Sequence, residues 1–115
     1  MVNTVVESVE WDKRVNGSSL RGYINASYSD LVEAFGEPKS GTDEYKTDVE
    51  WILVFNDDVV ATIYNYKDGK NYCGANGLNV EDIREWHIGG KGFDTVMALD
   101  DFFEENDFRI SVQMR

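Results

Sequence analysis

One cysteine, one histidine and one proline occur in 115 residues, and each scarcity excludes something. A lone Cys73 cannot build an internal disulfide framework and suits a reducing compartment. Cys73 and His87 are too few for a zinc site of the usual Cys/His kind, and no third group is marked to orient them as a nucleophile pair. No G-x-S-x-G elbow accompanies His87, so a Ser-His-Asp hydrolase has no signature either. The longest apolar runs, such as Trp51 to Phe55, stop after a few residues and fall far short of a membrane span. The opening MVNTVVESVE has neither a basic start nor a long apolar stretch, so a secretory signal is not expected.

Positive charge is also scarce. Eleven Lys and Arg stand against 22 Asp and Glu, giving a net charge of −11. This balance disfavours direct contact with nucleic-acid phosphates or anionic lipid, which need cations. It allows steering toward a basic protein surface; solubility alone is the competing reason for such a charge. The acid is uneven: residues 43–58 hold six acids against Lys46, and residues 81–107 hold nine against Arg84 and Lys91. By contrast, 59–80 and 108–115 are slightly basic, so the asymmetry carries more information than the total.

What the chain does have is apolar and aromatic material: 42% hydrophobic residues, with six Phe, six Tyr and three Trp. That fills one core over a single domain, residues 1–115. The patterning predicts a strand over Thr4 to Trp11, a hairpin turn at Val15-Asn16-Gly17-Ser18 and a return strand over Leu20 to Ala26. A helix is predicted over Tyr28–Phe35, with Ser27 and Asp30 at capping-box spacing and Leu31 and Phe35 facing inward. Gly36 and Pro38 stop it. Residues 38–44 read as a loop.

Tyr45 to Phe55 and Val59 to Tyr66 read as strands joined at Asn56-Asp57-Asp58. Val49, Trp51, Leu53 and Phe55 share one face, while Ile52 and Val54 make the other partly apolar. Two apolar faces predict a second cover, either a partner or another copy of the chain in a homodimer. Residues 67–79 read as a loop, followed by a helical turn at Val80–Ile83 capped by Asn79. A short strand over Glu85 to Ile88 ends at Gly89-Gly90-Lys91-Gly92. A helix over Thr95 to Glu105 follows, capped by Asp94, stapled by Phe93 on Ala98, and buried along Val96, Leu99, Phe102 and Phe103. Phe108 to Met114 alternates as a last strand, with Arg109, Ser111, Gln113 and Arg115 outward. The order implies an α+β fold, an antiparallel sheet of about five to six strands with two helices packed on it.

Gly89 to Gly92 is not a Walker loop, because Gly92 stands where Ser or Thr would follow Lys91. The acidic helix end is more informative. Asp100/Glu104 and Asp101/Glu105 are like-charge pairs at i, i+4, each costing a helix about 0.2–0.5 kcal/mol, and carboxylates near a helix C-terminus oppose its dipole. Such a local conflict tends to mark function. Asp94, Asp100, Asp101, Glu104, Glu105 and Asp107 are therefore the candidate partner-binding residues, with Asp43, Glu44, Asp57 and Asp58 as a secondary acidic patch. A solvated face and a divalent-cation site compete with this assignment, although no EF-hand spacing is present. Among the aromatics, Tyr64, Tyr66 and Trp86 with Arg109 are candidates for stacking a nucleotide; core packing is the simpler role for most of these rings.

Three stretches, YINASYSDLVEAFGEP at 23–38, DVEWILVFNDDVVATIYNYKDGKNY at 48–72 and EWHIGG at 85–90, resemble a type of small protein encoded by bacteriophages and prophages. The acidic helix lies outside them. In size and charge the chain is similar to phage inhibitors of host defence, such as anti-CRISPR and anti-restriction proteins. This resemblance implies a non-enzymatic inhibitor, without cofactor or metal, in the cytoplasm of an infected bacterium. Its partner would be a basic host protein that binds nucleic acid, met by a nucleic-acid-mimicking acidic surface. A sponge for a nucleotide immune signal and a metal-dependent hydrolase are the alternatives.

Overall fold

The computed structural model describes residues 5–41 and 45–115. They form seven strands in one antiparallel sheet and three α-helices: β1 Val6–Val9, β2 Ser19–Asn25, α1 Tyr28–Phe35, β3 Lys39–Ser40, β4 Val49–Phe55, β5 Val59–Tyr64, α2 Lys70–Cys73, β6 Glu85–Gly90, α3 Asp94–Glu105 and β7 Ser111–Met114. Strand order is β1-β4-β5-β6-β2-β7, and β3 lies beside β4 on the edge that β1 also uses. The α+β class is as the patterning predicts, with β3 an added strand and the one-turn α2 an added helix inside residues 67–79, which read as a loop. No helix among the described residues is long and apolar enough to cross a membrane.

α1 follows its sequence signals closely. Ser27 Oγ accepts from the Asp30 N–H at 3.1 Å, and Leu31 and Phe35 are buried. Gly36 ends the helix at φ +84°, ψ −172°, a conformation open essentially to glycine alone. α3 presents Thr95, Val96, Leu99, Phe102 and Phe103 to the core. Both helices cover one sheet face, where Ile24, Trp51, Leu53, Phe55, Ile63, Trp86 and Ile88 are buried with them. Phe35 joins the helices, stacking on Phe102 at 5.3 Å and meeting Phe103 at 5.6 Å. Truncating a fully buried ring such as Phe103 would cost about 3–5 kcal/mol.

The first hairpin is not formed. β1 pairs with β4, while β2 pairs with β6 and β7. Asn16 has φ −59° and ψ 131° and Gly17 has φ +83°. This is a type II turn, whereas a tight hairpin needs φ > 0 at both positions. The connection instead crosses the sheet through a 3-10 turn at Lys13–Val15, and Val15 and Val9 pack on Ile52, Val54 and Val60. The second apolar face, at Ile52, Val54 and Val60, is thus covered by the chain's own segment. Positive φ at two successive positions appears instead at Asn56 (+53°) and Asp57 (+59°), which close the β4–β5 hairpin with Asp58 N–H donating to Phe55 O at 3.0 Å.

Candidate partner-binding site

α3 places its acids as its periodicity requires. With one side filled by core residues, Asp94, Asp100, Asp101, Glu104 and Glu105 all stand exposed. Met97, 58% exposed, sits among them. Among the described residues, Asp100, Asp101 and Glu104 form no ion pair. Both i, i+4 carboxylate pairs are therefore on the solvent side of α3.

Two details of this helix differ from the sequence reading. Asp94 is the first helical residue rather than the cap; Phe93 holds the cap position without a side-chain hydrogen bond. Phe93 is also not a staple, since it is exposed and lies under the Arg21 guanidinium at 5.5 Å. Asp107 has its own structural task. Its φ is +58°, Phe108 N–H donates to Phe103 O at 2.9 Å and Asp107 N–H to Glu104 O at 3.3 Å. This is a Schellman stop with an aspartate in the left-handed position that glycine usually takes, sealed by the Phe103 and Phe108 rings at 6.1 Å.

Of the secondary patch, Asp43 and Glu44 lie outside the described residues. Asp57 and Asp58 belong to the β4–β5 turn, where their carbonyls accept from Arg14 Nη1 at 3.2 and 3.5 Å. Arg14 also clamps Asp12 at 2.8–2.9 Å, and this hydrogen bonding holds the Asp12 carboxyl down at about 2. Asp58 and Asp94 share a shallow hollow of about 190 Å³ with Arg14 and Lys91. The turn acids therefore meet the N-terminal end of α3 across two bases, not as a continuous acidic surface.

The aromatic candidates separate by strand parity. Trp86 is fully buried on the helix side of the sheet, so no ligand reaches it, and it leaves the stacking set. Its neighbour His87 points the other way. In register, Glu50, Tyr64, His87, Tyr23 and Gln113 form one row across β4, β5, β6, β2 and β7. The Tyr23, Tyr64 and Tyr66 rings lie 5.2, 5.5 and 5.4 Å from His87, and Tyr66 is stacked on it. Burial among these rings lowers the His87 pKa, against the pull of Glu85 and Asp68. Arg109 is exposed ahead of β7, at the sheet edge, separated from Tyr64 by β2 and β6. Tyr23 and His87 are the members that pattern reasoning missed; the alternation of Tyr23 with buried Ile24, and of His87 with Trp86, is the signal that marks them.

Cys73 is exposed and turns its thiol to Lys67 O at 3.3 Å, while His87 is enclosed by tyrosines. Among the described residues, no three His, Cys, Asp or Glu side chains converge in a metal-binding arrangement. Set against protein-family models, curated proteins and solved structures, the chain matches none of them.

Proposed function

We propose that the chain acts by binding, as a phage-type inhibitor that offers the outer face of α3 to a basic, nucleic-acid-binding surface of a host defence protein. The observation that supports this most is the placement of Asp100/Glu104 and Asp101/Glu105 on the solvent side of a helix whose core side is already complete. Each pair costs stability locally, and spaced negative charge on a rigid helix is what a phosphate-binding groove attracts. Exposed Met97 gives that face an apolar contact at its centre. The nucleotide-sponge alternative keeps Tyr64 and Tyr66 but loses Trp86, which is part of the core.

The test uses a variant with Asp100→Asn, Asp101→Asn, Glu104→Gln and Glu105→Gln. Wild type and variant are each immobilised and exposed to bacterial lysate, with and without excess duplex DNA. Wild type is expected to retain nucleic-acid-binding proteins that duplex DNA displaces and that the variant does not retain. Identical proteins on both surfaces, unaffected by DNA, would overturn the proposal.

A further inference from the structure

Away from α3, the loop that follows β5 holds a second feature that the acidic helix does not explain. Lys67 extends its ammonium between two tyrosines, 5.2 Å from the Tyr66 ring centre and 5.5 Å from that of Tyr72. Both rings are exposed, 39% and 38%. Lys67 reaches this position with φ +61°, a strained conformation for a non-glycine residue that persists only where its surroundings enforce it.

The enforcement is visible. Asn65, fully buried, donates from Nδ2 to Asp48 Oδ1 and Asp68 Oδ1, both at 3.0 Å. Its Oδ1 accepts from the Asp48 and Val49 N–H groups at 2.8 and 3.2 Å. Lys67 N–H donates to Lys46 O at 2.8 Å. Tyr66 is backed by His87 and Tyr72 by Tyr45, the latter at 5.1 Å. A polar network centred on buried Asn65 thus fixes the start of the loop that carries the two exposed rings, with a cation lying over both.

We propose that this Tyr66–Tyr72 slot receives an arginine side chain from a basic segment of a protein partner, and that Lys67 occupies it in the free protein as an internal substitute. A planar guanidinium stacks on aromatic faces better than a compact, strongly hydrated ammonium, so exchange favours the incoming arginine. Lys67 marks the place of a cationic occupant, its ammonium lying over both rings, and the Asp48 and Asp68 carboxylates flank the loop through Asn65. A second copy of the chain would bring the same negative charge and is disfavoured. The slot is separate from α3, so this inference does not rest on the function proposed above.

Oligo-arginine and oligo-lysine of equal length serve as probes, titrated at about 0.15 M salt with ring resonances of Tyr66, Tyr72 and His87 followed by NMR. Wild type is expected to prefer the arginine peptide by about threefold or more, as for an exposed cation–π contact, with shifts at Tyr66 and Tyr72. Tyr66→Leu removes the preference and Tyr66→Phe keeps it. Lys67→Gly suits the positive φ, empties the slot and is expected to tighten arginine-peptide binding by about two- to fivefold. In the α3 quadruple variant both peptides weaken equally if α3 attracts cations, or neither changes if it does not, and the arginine preference survives either way. Equal affinity for the two peptides, weaker binding after Lys67→Gly, or loss of the preference in the α3 variant would each overturn the slot.

Discussion

Trp51 and Trp86 meet edge to face at 5.5 Å across β5 and hold opposite ends of α1. The Trp86 indole N–H donates to Ala26 O at 3.1 Å, just before the helix, and that of Trp51 donates to Gly36 O at 2.8 Å, just after it. Trp51 and Trp86 are therefore the fasteners between sheet and helix. Trp→Phe keeps an aromatic ring at either site but leaves a carbonyl without its donor. At Ala26, which is buried, the cost is expected to be about 1–3 kcal/mol. At Gly36, which is exposed, water replaces the donor. Urea unfolding followed by circular dichroism should therefore rank Trp86→Phe below Trp51→Phe in stability; the opposite order would contradict these bonds.

Asp107 stops α3 in a left-handed conformation, where an L-residue without local help pays about 1–2 kcal/mol. Asp107→Gly relieves that strain and takes a carboxylate from the negative end of the helix, a change worth roughly 0.3–1 kcal/mol. The glycine variant is expected to be at least as stable as wild type, and more stable than Asp107→Ala by about 1–2 kcal/mol. Thermal midpoints of the three proteins check this. Equal midpoints for the Gly and Ala variants would mean that the Schellman stop does not form.

His87 links stability to pH. Burial lowers its pKa from the ordinary value near 6.5, so on acidification the unfolded chain takes up the proton first. Its contribution is complete above about 6.5 and is lost as pH falls from there through the lowered folded value. His87→Gln should flatten the midpoint-versus-pH curve as pH falls below about 6.5. An undiminished slope in the variant would place the titrating group elsewhere.

Local signals dictated α1 almost residue for residue, because cap, apolar stripe, glycine and proline all act within a few positions of Ser27 and Gly36. The buried side of α3 and the β4–β5 hairpin were equally legible. The β1–β2 connection was not, since Val15 gains more by covering Ile52 and Val54 than Asn16-Gly17 gains from a tight hairpin. Two-residue β3 has no pattern to show. The tyrosine setting of His87 depends on β2 pairing with β6, strands far apart in sequence, so the residues near His87 in the chain do not show it. For the acids, sequence located them and even their helical spacing, but only the turn geometry reveals that Asp57 and Asp107 occupy positive-φ positions.

The central claim is that α3's outer carboxylates are carried for binding rather than for folding. Its most direct test is the association rate of the quadruple Asn/Gln variant with the captured basic partner, measured at two salt concentrations beside the thermal midpoint. Removing the Asp100/Glu104 and Asp101/Glu105 repulsions should leave the midpoint equal or higher, while association slows and its salt dependence flattens. A variant that associates as fast as wild type at both salt concentrations would contradict the account.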